Sequence, residues 1–165
     1  MYKKYTMEFS KWILWYHDPE VRDYSLESYI KVADFTTVQQ FWSVIDTIPK
    51  EAWECGMFFF MKNDCPPQWD APQMEKGGTW SKKIDAQQAH TSFIDLMVHC
   101  LSDELLVQHK NTLAGISISP KGQFHIIKIW NTDKIHCSKG FLNQNLTYFK
   151  VTDDVTYTFN QSRPK

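Results

Sequence analysis

With 165 residues and a formal net charge of −1, the chain is one domain, long enough to bury a core, and no global field draws it to nucleic acid or an anionic membrane. Seven Trp and 15% aromatic residues exceed ordinary usage, and no apolar run approaches a membrane span. Cys55, Cys65, Cys100 and Cys137 show no CxxC spacing and no apolar leader opens the chain. They therefore read as reduced, mostly buried thiols of a cytoplasmic protein, with the nucleus as the alternative.

Met1 to Ser10 reads as a mobile arm, and residues 11–165 as the single domain. Lys11 to His17 is rich in β formers and predicts a strand, with Trp12 and Leu14 on one face and Ile13 and Trp15 on the other. Asp18-Pro19-Glu20 breaks it, and a loop carrying Tyr24 runs to about Ser28. Tyr29 to Phe35 predicts a second strand. Thr36-Thr37 followed by Gln40 is a capping-box pattern that opens a helix running to Pro49. Phe41, Val44, Ile45 and Ile48 form its core stripe, while Val38 and Trp42 are an i, i+4 apolar pair off that stripe.

Met57 to Met61 is a short apolar strand. Pro66 to Trp80 then reads as a long loop with three prolines, a Gly-Gly pair and two tryptophans. Trp69 sits between Pro67 and Asp70-Ala71-Pro72, so it cannot occupy a helix interior or a central strand. A flat π face beside a carboxylate suits a planar, cationic ligand edged with two N–H donors. On this stretch alone, a Trp packed under a loop is the commoner outcome.

After a strand over Trp80 to Ile84, Thr91 or Ser92 can cap a second helix. Phe93, Leu96, Met97, Cys100 and Leu101 form its core stripe, with Ile94 and Val98 again left outside it. Two such pairs predict either a groove for a partner helix or a wide core face. Leu113 to Ser119 and Phe124 to Asn131 form a hairpin around Pro120-Lys121-Gly122, with Lys128 and Trp130 on one face of its second strand. Lys121 to Lys139 holds four Lys against one Asp, the only locally basic stretch. Tyr148 to Thr152 and Val155 to Phe159 read as closing strands. The fold class is α+β: a curved antiparallel sheet of seven to eight strands with two to three helices on its convex face.

Ordered anchors make the chain resemble the cap-binding translation initiation factor 4E family. They are Trp12-Ile13-Leu14-Trp15, Phe35 to Trp42, Phe60-Met61-Lys62-Asn63, Pro67-Gln68-Trp69-Asp70, Glu75 to Trp80, Ala114-Gly115 and Ile127 to Trp130. The resemblance implies binding of capped mRNA through its N7-methylguanosine. Trp69 and Tyr24 would stack on the base, Asp70 would accept its N1–H and N2–H, Trp130 would line the methyl group, and Lys121 and Lys128 would hold the triphosphate. It further implies that Val38, Trp42, Ile94, Asp95 and Val98 dock an amphipathic helix of scaffold initiation factor 4G or a 4E-binding-type protein. Such a protein is a monomer without cofactor, metal or membrane attachment.

Several positions depart from the family pattern. Tyr24 stands where Trp is usual, Asp70 where Glu is usual, Thr79 where Arg often sits, and Ser119 near a position usually basic. A translational repressor, or an interaction module that has lost cap binding, fits the same residues. Enzymatic readings are weaker. Adjacent helix residues such as His99 and Cys100 do not face each other, and Cys55, Cys65 and His136 lack metal-ligand spacing.

Overall fold

The computed structural model describes residues 8–162. Seven strands form one antiparallel, curved sheet: β1 (Glu8–His17), β2 (Ile30–Thr37), β3 (Met57–Lys62), β4 (Gly78–Asp85), β5 (Leu113–Pro120), β6 (Phe124–Asn131) and β7 (Thr156–Phe159). Their spatial order is β2-β1-β3-β5-β6-β4-β7. Three α-helices, α1 (Val38–Ile45), α2 (Lys50–Cys55) and α3 (Ala86–Leu101), cover one face.

Side-chain alternation divides the interior into two layers. Phe58 and Phe60 of β3 point to the helices, where Trp12, Phe35, Phe41, Trp53, Trp80, Phe93, Ile116 and Ile129 join them in the main core. Phe59 and Met61 point the other way, into a smaller cluster with Tyr29, Cys65, Met74, Ala114 and Trp130. Among the described residues no α-helix covers that second cluster; the segment between β3 and β4 packs there instead.

Thr37 caps α1 as the sequence implies: its side chain accepts the Gln40 N–H, and the Gln40 side chain accepts from the Thr37 N–H. Phe41 and Ile45 are buried, and Val44 and Ile48 pack at the margin.

Other expectations need correction. The helix expected to begin near Thr91 starts at Ala86, because the Asp85 side chain accepts the Gln87 N–H and supplies the cap. Thr91 and Ser92 therefore lie inside the helix. The short α2 has no counterpart in the periodicity; Pro49 precedes its first turn and Trp53 plugs the core. No strand forms over Tyr148 to Thr152, where Leu146, Phe149 and Val155 instead anchor an irregular segment. Met1 to Met7 of the expected arm lie outside the described residues, and Glu8 to Ser10 belong to β1. All four cysteines are free, yet only Cys65 and Cys100 are buried; Cys55 is exposed.

Candidate functional site

Opposite the helices, a cleft of about 360 Å³ opens on the sheet. Trp69, Asp70, Tyr24, Trp130 and Lys128 all line it, joined by Tyr29, Met57, Phe59, Pro67, Gln68, Ser117 and Ser119. The size and the mix of aromatic walls with a few polar groups are those of a small-ligand site.

One wall is a relay of rings. Trp130 meets Phe59 edge-on at 6.1 Å between centroids, Phe59 meets Tyr29 edge-on at 5.3 Å, and Tyr29 leans on His17 at 4.7 Å. His17 then lies flat against Tyr24 at 4.6 Å and 8°. The indole of Trp130 is fixed, because its Nε1–H donates to Ser117 Oγ at 3.0 Å. Burial, with Tyr24 and Asp70 nearby, pushes the Tyr29 phenol well above its usual range, so it stays neutral.

The opposite wall is the loop bearing Trp69. Cys65, Ala71 and Met74 are buried beneath it, and Trp69 packs half-buried on the same cluster. Successive turns hold it: Ala71 N–H donates to Gln68 O, Met74 N–H to Ala71 O and Gly77 N–H to Met74 O. Gly77 and Gly78 close the loop because nothing larger fits. A Cβ on Gly77 would lie 2.1 Å from Asn131 O, and one on Gly78 2.4 Å from Thr158 O. From beyond β7, Asn160 Nδ2–H donates to Met74 O at 2.8 Å. The Gln68 amide donates to Tyr24 O at 2.9 Å and ties the two walls together.

The chemistry is that of a clamp for a flat ring. Trp69 and Tyr24 offer faces, and the exposed Asp70 carboxylate, which has no ion pair among the described residues, offers two acceptors. Lys128 and the Ser117 and Ser119 hydroxyls lie along the floor of the same cleft. Lys121 is not part of it: the residue sits exposed in the β5–β6 turn, where its N–H donates to Phe124 O. The rest of the basic stretch also turns elsewhere, Lys134 to Gln161 and Lys139 to Thr152 and Asp153.

Sequence reasoning missed His17, Tyr29 and Phe59, because nothing in the spacing of two strand residues and one loop residue shows that their rings meet. The five expected partner-binding residues lie on the helix face. Trp42 and Val98 are exposed at 39% and 37%, while Val38, Ile94 and Asp95 are half-buried. The Trp42 ring rests edge-on against Phe41 at 5.0 Å.

A seven-stranded antiparallel sheet carries helices on one face and an aromatic, carboxylate-edged cleft on the other. Residues 9–163 match the family described as Eukaryotic initiation factor 4E, and the chain belongs to that family. It is 38% identical over 128 residues to the translation initiation factor 4E of Eremothecium gossypii, a stretch covering 73% of this chain and 60% of that protein. Over 124 residues it is 23% identical to factor 4E-1 of Arabidopsis thaliana, covering 72% of this chain and 52% of that protein. The chain thus spans little more than half the length of these relatives. In fold it resembles C. elegans eIF4E-3 in complex with the 4E-binding protein Mextli, at TM-score 0.78 and 17% identity over 93% of each chain. It also resembles a schistosome eIF4E complexed with m7GpppA and 4E-BP, at TM-score 0.70 and 22% identity, covering 81% of this chain and 75% of that one.

Proposed function

We propose that the chain binds the N7-methylguanosine cap of mRNA and recruits a scaffold protein for translation initiation. The observation that carries this reading is the convergence of Trp69, Tyr24, Trp130 and Asp70 from separate elements on one cleft. N7-methylation gives guanine a positive charge. Aromatic faces attract such a ring by stacking and cation–π forces, on the order of 1–3 kcal/mol per face. Asp70 accepts N1–H and N2–H together as charge-assisted bonds. Lys128 holds the phosphates, with Ser117 and Ser119 as hydroxyl donors, and Lys121 has at most an outer role. The site binds and does not transform its ligand, and the place of action is the cytoplasm.

The partner surface is the helix face around Val38, Trp42, Ile94, Asp95 and Val98. An exposed indole and valine there, flanked by the half-buried Val38 and Ile94, suit the apolar stripe of an amphipathic helix. The scaffold factor, or a 4E-binding protein in its place, is the occupant.

The test is titration of intrinsic tryptophan fluorescence with N7-methyl-GTP and with GTP. Quenching by the methylated nucleotide alone is expected. Asp70→Asn should lose about 1–3 kcal/mol of that affinity, since one acceptor becomes an NH₂ aimed at a donor. Equal response to GTP, or an unchanged Asp70→Asn with the fold intact, defeats the reading.

A further inference from the structure

Strand β4 carries a stretch of edge that the sheet leaves unpaired. It pairs with β6 along all of Gly78–Asp85, but with β7 only from Gly78 to Ser81. Among the described residues, Lys82 to Asp85 therefore meet no strand on their outer side. In an antiparallel ladder, residues bonded to one neighbour alternate with residues that face the other side. Two of these four residues thus turn their N–H and C=O groups away from β6, and no group among the described residues takes them up. Beside them lies a slot of about 470 Å³, lined by this end of β4, by Gln88 of α3, and by Thr147, Tyr148 and Lys150 of the irregular segment.

We infer that this slot seats an extended, acidic segment of a partner protein, which adds a short strand to the outer edge of β4. The inference is independent of the cap-binding reading and uses none of the cleft residues. Main-chain bonds supply the attachment, and the side chains around the slot select the occupant. Lys83 and Lys150 are exposed and hold no ion pair among the described residues. Lys82 is already engaged: its Nζ lies 3.6 Å from the Asp154 carboxylate and bonds Thr152 Oγ1 at 3.1 Å. Asp85 brings the only carboxylate to the lining, and that group is taken as the cap of α3. The positive end of the α3 dipole adds to the excess. Lysines on an open edge discourage pairing with most strands, whereas a strand with a carboxylate opposite Lys83 meets the opposite charge. Alternation sets the neighbouring position. The Lys83 ammonium lies 4.8 Å from the Phe124 ring centroid on the face away from the helices, while Ile84 belongs to the main core on the helix face. The residue opposite Ile84 therefore projects to the helix face, where the exposed Tyr148 lines the slot, and an apolar side chain suits it.

The probe is the peptide acetyl-Glu-Thr-Val-Glu-Thr-amide. Run antiparallel to β4 with its Val opposite Ile84, it places the second Glu opposite Lys83 and the first beside the start of α3. Amide hydrogen exchange on the whole chain, followed by nuclear magnetic resonance, reads the pairing. In the free chain two of the four amides from Lys82 to Asp85 should exchange fast, and saturating peptide should slow them roughly tenfold. Lys83→Glu should weaken the peptide roughly fivefold, as an opposite-charge pair becomes a like-charge one. Exchanging the second Glu of the peptide for Lys should restore binding to that variant. N-methylation of both the Val and the Glu nitrogens removes the donor facing β4 at unchanged charge, and should abolish binding. Uniformly slow exchange from Lys82 to Asp85 in the free chain, or a methylated peptide that binds as well as its parent, overturns the inference. So does protection that the peptide fails to give while uncapped oligouridylate or rising protein concentration gives it, which would assign the edge to RNA or to a second copy of the chain.

Discussion

Tyr24 keeps 49% of its surface exposed at the mouth of the cleft, and what orients it is the residue behind it. His17 is fully buried at the end of β1 and lies parallel to the Tyr24 ring. Its Nε2 is 2.7 Å from Asp23 O, a carbonyl that can only accept, so Nε2 carries the proton and the loop is pinned just before Tyr24. The other ring nitrogen, Nδ1, has no hydrogen-bond partner among the described residues. On the cap-binding proposal, His17 is therefore a positioning residue for the Tyr24 face of the clamp. Replacing it with Leu should lower N7-methyl-GTP affinity by about 0.5–1.5 kcal/mol, the usual worth of an aromatic pair. His17→Phe restores the flat ring and should recover most of that affinity. Both variants lose the bond to Asp23, so both should melt at a lower temperature. In a Tyr24→Ala background the Leu and Phe variants should bind alike. If they bind alike with Tyr24 present, the ring has no positioning role. The sequence marks His17 only as a strand end, whereas Trp69 and Asp70 stand out because prolines exclude regular structure around them.

At the scale of elements, legibility follows how local the causes are. The capping box of α1 and the alternation of β6 are written within a few residues, and β6 matches its expected bounds of Phe124 to Asn131. The start of α3 is less legible, because Asp85, Thr91 and Ser92 are all acceptable caps. The choice falls to Asp85 at the end of β4, whose antiparallel pairing with β6 runs through Asp85 opposite Phe124. A six-residue helix such as α2 has no period to detect; it exists because Trp53 fills space beside Phe58 and Phe93. The expected partner stripe rests on helical geometry alone, and the exposure of Trp42 now separates it from a core role. Trp42→Ala should abolish binding of an amphipathic scaffold peptide, measured by calorimetry, while leaving N7-methyl-GTP affinity within error. Because the indole is 39% exposed, the melting temperature should stay close to wild type. A collapse of the melting temperature with loss of both ligands would return Trp42 to the core.

Taken whole, the molecule is a sheet with two unlike faces, and two imidazoles on its helix face shape the response to pH. Of the cleft, the loop bearing Trp69 and the strand bearing Trp130 were legible in the sequence. The relay through Phe59, Tyr29 and His17 was not, since it is made where two strands and the residue just before a third meet. The helix face holds His125 on β6, 2% exposed, and His90 on α3, tilted against Trp53 at 5.8 Å. Burial lowers both below the ordinary imidazole range; Glu54 of α2 pulls both back upward, and Lys50 adds to the lowering at His90. His125 Nδ1 has no hydrogen-bond partner among the described residues, so a proton placed there would be buried without an acceptor from them. The unfolded chain takes up these protons near the ordinary value of about 6.5, while the folded chain resists them. The unfolded state thus binds more protons as pH falls, and stability rises with pH across that range. This contribution is fully present above about pH 6.5 and is lost on acidification through it. Asp23, Asp34 and Asp154, held below the usual carboxylate range chiefly by hydrogen bonds from Ser25, Lys31 and Thr152 respectively, titrate lower still and leave the window clear. Melting temperature measured from about pH 8 down to about pH 5.5 should therefore fall in the wild type, and His90→Gln with His125→Leu should flatten the profile. A wild-type profile flat across this window would show that neither imidazole resists protonation in the folded state.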